Sequence, residues 1–433
     1  MFRKILIVAA CSLLFMSQVC FAEVSEDDLV SEIRALREQI ERQGQRIDEL
    51  EERLTREEST PKTIQFADGT VEDLSKLMPS GIDIGAGATF VVQGTNNANG
   101  NSLSEKGEDV TDASYSIDLT LEKKFDDYGM VFLQLETGDG AGVDEELQLF
   151  SNVNQDADDS DNSVSVTKAW YEHYFQGAPL TLTFGKIGSD DYIDGSEYAC
   201  DECTQFLGSM FKHSPVIEFP SSTAGVHLGI APADSMDIDL VVSDADDDWE
   251  DVGDEIFFAG QVNIKPNLFD RTGNYRLIGW LNDRDHTKWD DSASVKENGY
   301  GFGISFDQEL TDELGAFLRY GWQDPDVYIN GDSFSLEHAW STGIQLKGNM
   351  WNREGDALGI AVGQISPSDK YKDAGTNLNA KDEGHLEIYY NYVMNEHLTL
   401  TPDLQIIWNP YGKDASNGDE TIVVGGVRGQ VDF

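Results

Sequence analysis

The sequence predicts an all-β fold: a 16-stranded antiparallel transmembrane β-barrel with an N-terminal α-helical coiled coil. Three observations carry that expectation. The chain ends on TIVVGGVRGQVDF, where Val423, Val427, Val431 and Phe433 alternate with Arg428, Gln430 and Asp432. This is a period-2 strand with one apolar and one polar face. Sixteen segments between Gly81 and Phe433 repeat that texture, most of them ~10–12 residues long, the length a tilted strand needs to cross a bilayer. Their connections alternate long and short through much of the chain, the asymmetry of a barrel with short turns at one rim and long loops at the other.

Composition agrees. The chain has 433 residues, 30 Lys+Arg against 80 Asp+Glu, and a net charge of −50. Phosphate contacts need a basic patch, so nucleic acid is not an expected partner. Mean hydropathy is −0.39. No apolar run outside the N-terminus reaches the ~18 residues of a spanning helix. A barrel tolerates so polar an average because every second residue faces away from lipid.

Residues 1–22 read as a signal peptide. Arg3 and Lys4 precede the apolar stretch Ile5 to Met16, and Cys20-Phe21-Ala22 is a cleavage site. Cys11 only weakly suggests lipidation. Residues 23–58 carry heptads: Ile33, Ile40, Ile47 and Leu54 take a positions, and Leu29, Leu36, Gln43 and Leu50 take d. So narrow an apolar stripe needs partner chains. Isoleucine at a with leucine at d favours two strands, whereas Arg46-Ile47-Asp48-Glu49-Leu50-Glu51 resembles a pattern of trimeric coiled coils; a homotrimer is the expected state. Gln43 in the core would set register. Residues 59–80, with Pro61 and Pro79, form a linker, and the barrel domain spans 81–433.

The expected strands are 81–94, 113–124, 128–137, 163–174, 179–187, 222–231, 236–245, 254–265, 273–285, 297–307, 314–323, 335–348, 356–366, 384–395, 398–409 and 420–433. In the second, Tyr115, Ile117, Leu119 and Leu121 oppose Ser116, Asp118, Thr120 and Glu122. In the tenth, Tyr300, Phe302, Ile304 and Phe306 oppose Gly301, Gly303, Ser305 and Asp307. Lipid outside and water inside account for both faces. An even strand number returns both ends of the domain to one rim, so the coiled coil is expected in the periplasm of a Gram-negative cell.

Four stretches carry a family resemblance: Leu121 to Gly140, LEKKFDDYGMVFLQLETGDG; Lys168 to His173, KAWYEH, followed by Phe184-Gly185-Lys186; Asp190 to Pro220, with Tyr198-Ala199, Thr204-Gln205-Phe206-Leu207 and Phe219-Pro220; and Leu398 to Pro410, LTLTPDLQIIWNP. The chain from Gly81 to Phe433 resembles the OprB-type carbohydrate-selective porins of bacterial outer membranes. The resemblance implies a sixteen-stranded barrel narrowed by inward-folded loops and sugars such as glucose as permeants. This chain departs from the family in Cys200 and Cys203 and in having few arginines for the lumen.

The pore-narrowing segment is expected at residues 188–221, with Asp190, Asp191, Asp194, Glu197, Asp201 and Glu202 as constriction acids that would attract cations, an exposed, solvated loop being the alternative. On the strands, Lys168, Trp170, Glu172, Arg319, Glu337, Glu387, Asp403, Gln405, Arg428 and Gln430 are candidates for the pore lining. Trp170 would offer a surface to a sugar ring, and Arg319 and Arg428 donors to hydroxyls or anions. Structural charge pairing inside the barrel is the alternative for each. Cys200 and Cys203 are disulfide candidates in an oxidising compartment, reactive thiols and a metal pair being the other readings. The acidic runs Asp156 to Asp161 and Asp244 to Asp248 are read as solvated extracellular acids, with loose binding of divalent ions near lipopolysaccharide as a hypothesis, because glycine in the sixth place and glutamate in the twelfth do not line up together as in a calcium loop. Neither metal nor cofactor is expected. Seven scattered barrel histidines and the lack of a Gly-x-Ser-x-Gly elbow argue against an enzyme. Outer-membrane lipid and lipopolysaccharide are the expected surroundings, sugars or cations the permeants, and the cell wall a further contact for the coiled coil.

Overall fold

The computed structural model describes residues 81–433 apart from 101–106, 158–159, 269, 375–379 and 414–420. The expected signal peptide, coiled coil and linker lie outside the described residues. No helix among the described residues is long and apolar enough to cross a membrane.

Eighteen strands follow in chain order: β1 (Asp83–Asn96), β2 (Thr111–Phe125), β3 (Gly129–Asp139), β4 (Ser165–Tyr174), β5 (Leu180–Ile187), β6 (Thr223–Ala233), β7 (Met236–Asp244), β8 (Ile256–Ile264), β9 (Asn267–Leu268), β10 (Arg271–Lys288), β11 (Asp291–Glu309), β12 (Leu314–Gln323), β13 (Val327–Ile329), β14 (Leu336–Lys347), β15 (Ala357–Pro367), β16 (Glu383–Asn395), β17 (Leu398–Trp408) and β18 (Ile422–Asp432). β9 and β13 are short additions at the edges of β10. The other sixteen pair antiparallel with their neighbours, and β18 closes on β1 with Val427 opposite Val92 and Arg428 opposite Val91. Closure leaves no free edge, which an open sheet in lipid could not sustain. The Phe433 amide donates to the Ala86 carbonyl at 3.0 Å, fastening the chain end to β1.

Most strand ends fall within two or three residues of expectation. β11 is the exception: it starts at Asp291, not 297, because β10 and β11 run past the rim as one hairpin around residues 289–290. Side chains alternate as period two demands. Phe90, Val92, Ile117, Phe258, Leu277, Phe302, Leu318, Leu404 and Val427 face outward and are exposed, while Thr89, Gln93, Ser116, Ser305, Arg319, Gln405 and Arg428 are buried on the inner face.

The inner face is not simply wet. Residues 140–157 and 188–222, from the long-loop rim, fold into the bore. A short helix, α1 (Ser209–Lys212), lies in the second of these. Phe150, Tyr198, Phe206, Met210 and Phe211 pack against Phe317, Ala361, Ile365 and Tyr389 of the wall. Ile187, Ile193 and Ile217 pack on Val241, Phe257, Ile278 and Trp280. Val143, Leu147 and Val153 meet Ile407, Ile422 and Val424. These inward apolar residues break strict alternation because they face a packed core under the loops. Two wall glycines make room: a Cβ at Gly315 would lie 2.1 Å from the Tyr198 ring, and one at Gly363 2.3 Å from Met210 Cε.

Candidate functional site

Residues 188–222 are held to the wall by charged side chains on distant strands. Arg319 of β12 donates through Nε to Asp194 Oδ1 at 3.2 Å, through Nη1 to the Phe211 carbonyl at 2.5 Å, and through Nη2 to the carbonyls of Asp194 and Ala199 at 2.9 and 2.6 Å. Asp194 also accepts from the Ser214 amide at 2.6 Å. Glu387 of β16 accepts from the amides of Leu207 and Gly208 at 2.6 and 2.9 Å. A Cβ at Gly208 would sit 2.8 Å from the Glu387 carboxylate, so the approach needs glycine there. Arg428 of β18 donates to the carbonyls of Glu202 and Gln205 at 2.6 and 2.9 Å.

Residues 140–157 are fastened alike. Gln405 of β17 donates to the Val153 carbonyl at 2.8 Å and to Asp403 at 2.9 Å, and the Phe150 amide donates to Glu383 at 3.0 Å. Asp156 accepts from Ser116 of β2 at 3.1 Å and from the Cys203 thiol at 3.5 Å, tying one inward segment to the other.

Arg319, Glu387, Gln405 and Arg428, expected on the pore surface, are therefore buried fastenings, and Asp403, also expected there, is buried beside Gln405. Long charged side chains reach backbone groups of the inserted segments, whose carbonyls and amides need partners away from water. Asp194 is buried with them. Asp156 is buried as well, not a solvated acid. Cys200 and Cys203 are free thiols, not a disulfide. The Cys203 thiol is turned to Asp156 and to Thr89 of β1 instead. Three of the scattered histidines lie on the inner face. His385 is fully buried beside Gln405, His286 bonds Glu218 at 2.9 Å, and His227 stacks on Tyr192.

The remaining candidates converge. Lys168 of β4 pairs with Asp191 at 2.6 Å, His213 lies 3.4 Å from Asp190, and Lys212 pairs with Glu202 at 2.7 Å. All six side chains are partly accessible. Burial opposes ionisation of Asp190, but His213, Lys212 and Lys168 outweigh it and hold the carboxyl below the usual carboxylate range. Burial likewise opposes charge on Lys212, and Glu202 and Asp190 raise it nonetheless. Beside this cluster Trp170 stacks on Phe132 with centroids 5.1 Å apart, and Tyr192 stacks on His227 at 3.8 Å. Glu172 accepts from Thr183 at 2.9 Å. Glu197 is exposed, its amide 3.4 Å from Asp307. Glu337, at the rim, lies 3.3 Å from His338, and Gln430 accepts from Thr89 at 2.6 Å. Sequence reasoning missed Lys212 and His213 as partners of the cluster, and the inward course of the segment that follows β3. The apolar run Leu147-Gln148-Leu149-Phe150 inside an otherwise polar loop was the available signal.

A closed sixteen-strand barrel with charged loop segments in its bore is the architecture of an outer-membrane porin, and it points to a channel. More particularly, the chain belongs to the carbohydrate-selective porin, OprB family, whose model matches residues 108–433. Porin AaxA of Chlamydia trachomatis is 22% identical over 248 residues, 55% of this chain and 50% of its own. An uncharacterized Synechocystis protein is 22% identical over 354 residues, 73% of this chain and 63% of its own. The chain thus spans between half and two thirds of the length of these relatives. Among solved structures, that of Pseudomonas putida OprB at high pH matches with a TM-score of 0.69 and 17% identity, covering 84% of this chain and 97% of that one. The channel DcaP of Acinetobacter baumannii matches with a TM-score of 0.50 and 11% identity, covering 82% and 99%. At such identities the likeness is one of fold.

Proposed function

We propose that this protein passes small carbohydrates through the outer membrane by passive diffusion. The observation that carries the reading is the accessible cluster Lys168, Asp190, Asp191, Glu202, Lys212 and His213 beside the stacked Trp170 and Phe132. Paired charges supply both donors and acceptors, which a sugar's hydroxyls can use together. A flat aromatic face suits the apolar side of a pyranose ring. Family membership supports the solute class. The N-terminal heptads support a homotrimer with its coiled coil in the periplasm, within reach of the cell wall.

A second reading is favoured by the net charge of −50: a general porin with cation preference. Planar-bilayer conductance separates the two. Stepwise channels blocked by millimolar sugar support the carbohydrate reading. Open channels with a cation-selective reversal potential and no sugar block support the general porin. Well-folded protein without channels removes both and leaves a structural tether between outer membrane and cell wall.

A further inference from the structure

We propose that the connection between β7 and β8 is a calcium site, with Asp244, Asp246 and Asp248 as carboxylate ligands. One carboxylate oxygen from each of the three lies within 4.8 Å of the other two. Calcium holds its oxygens at ~2.3–2.6 Å, so ligands on opposite sides of one ion stand ~5 Å apart. Three carboxylate oxygens within 4.8 Å of one another can therefore reach one calcium ion.

The trio alone would be unremarkable in so acidic a chain. Asp244 makes it a site. Its side chain belongs to a residue only 3% exposed, and its Oδ2 has no hydrogen-bond partner. A buried carboxylate oxygen with nothing to bond is costly, and two further carboxylates beside it deepen the cost. A divalent cation satisfies the oxygen and neutralises the repulsion in one step. Asp246 is half-buried and Asp248 exposed, which leaves a path for the ion and room for water ligands.

The sequence spacing agrees. Asp244, Asp246 and Asp248 occupy the first, third and fifth places of an oxygen-ligand loop. Trp249 holds the sixth place with φ 63°, the left-handed turn that glycine supplies more cheaply. Glu255 stands twelfth, the place of the bidentate glutamate in an EF-hand loop, though it is outside the trio as the loop stands. Trp249 and Val252 also line an apolar cleft with Val226 and Val242.

Full-length protein, stripped with chelator and folded in detergent, is titrated with calcium and, separately, with terbium. Trp249 borders the site, so excitation of tryptophan should sensitise the bound lanthanide. The expected result is one saturable equivalent whose affinity falls at least roughly tenfold in Asp246→Asn/Asp248→Asn, because ligand charge sets calcium affinity. Trp249→Phe should lose most of the sensitised emission while keeping calcium affinity within about twofold, since it removes no ligand oxygen. An acid pair elsewhere, Asp312→Asn/Asp369→Asn, should change neither. If the Asp246/Asp248 variant keeps the equivalent, or Trp249→Phe keeps the emission, calcium binds elsewhere and the assignment is wrong. Heat-modified migration on gels confirms that each variant is folded.

Discussion

Arg319 illustrates what a single buried charge does inside this barrel. Its guanidinium makes four hydrogen bonds, all to residues 194–211. Arginine suits the task because its planar fork serves several acceptors at once, whereas a lysine ammonium could not span them. Arg319→Ala leaves Asp194 buried without its cation, a loss of ~3–5 kcal/mol for a broken buried pair. The expected outcome is a lower thermal midpoint and a larger, noisier single-channel conductance as the segment loosens. Trp170→Ala tests the aromatic surface. Loss of one ring contact of ~1 kcal/mol should weaken sugar block about fivefold, while ion conductance stays or rises.

Asp156 gives a pH dependence of definite sign. Burial, with the nearby Glu202 charge, pushes its carboxyl up to about 7, and burial pushes Asp144 up to about 6. An unfolded aspartate titrates near ~3.9, so the folded state binds these protons more tightly. The resulting stabilisation is complete below about pH 4 and is lost as pH rises through 6 and 7. Residues 140–157 should hold more tightly at acidic pH. Asp156→Asn, which mimics the protonated carboxyl, should flatten the fall of thermal midpoint between pH 5 and 8.

At the scale of the element, each strand serves two solvents. β12 shows it: Leu318 faces lipid and Arg319, next to it, faces the loop core. Leu318→Arg places a charge on the lipid face and should cost ~2–4 kcal/mol if the site is at mid-membrane depth. The check is refolding yield and midpoint in lipid, and migration to the unfolded position on gels at a lower temperature. These faces were legible in the sequence because alternation is a local property. Tyr300, Phe302 and Ile304 oppose Ser305 and Asp307 whatever lies beyond them. The destination of the inner face was not legible in the same way. Period two says that Glu387, Asp403 and Gln405 point inward. It does not say whether water or a folded loop meets them there. Of the candidate site, Lys168, Trp170, Asp190 and Asp191 were legible from spacing and from the family stretches. Lys212 and His213 were not, since nothing local distinguishes them from other loop residues.

At the scale of the whole molecule, the barrel and its inserted segments form a single folding problem. The wall supplies Arg319, Glu387, Gln405 and Arg428, and the segments supply the backbone groups and aromatic side chains that fill the bore. Residues 23–58 are separate in composition and period. Deleting them should leave the barrel's fold and channel activity intact and abolish the homotrimer proposed from the heptads. Cross-linking and native mass measurement of the shortened protein check this, and a persisting trimer would show that the heptads are not what assembles it.

The sequence by itself determined the sixteen wall strands, most of their limits and which residues face lipid, because these follow from period-two alternation and turn spacing over ten residues or so. It also carried the OprB family stretches. Only the tertiary structure decided that two segments enter the bore, that the inward arginines and carboxylates fasten them, and which charges remain for solute. The reason is distance along the chain. Glu387 and the Leu207 amide are 180 residues apart, and Gln405 and the Val153 carbonyl 252. Such pairings exist only once the barrel has closed and buried polar groups must find whatever partners the closed wall presents.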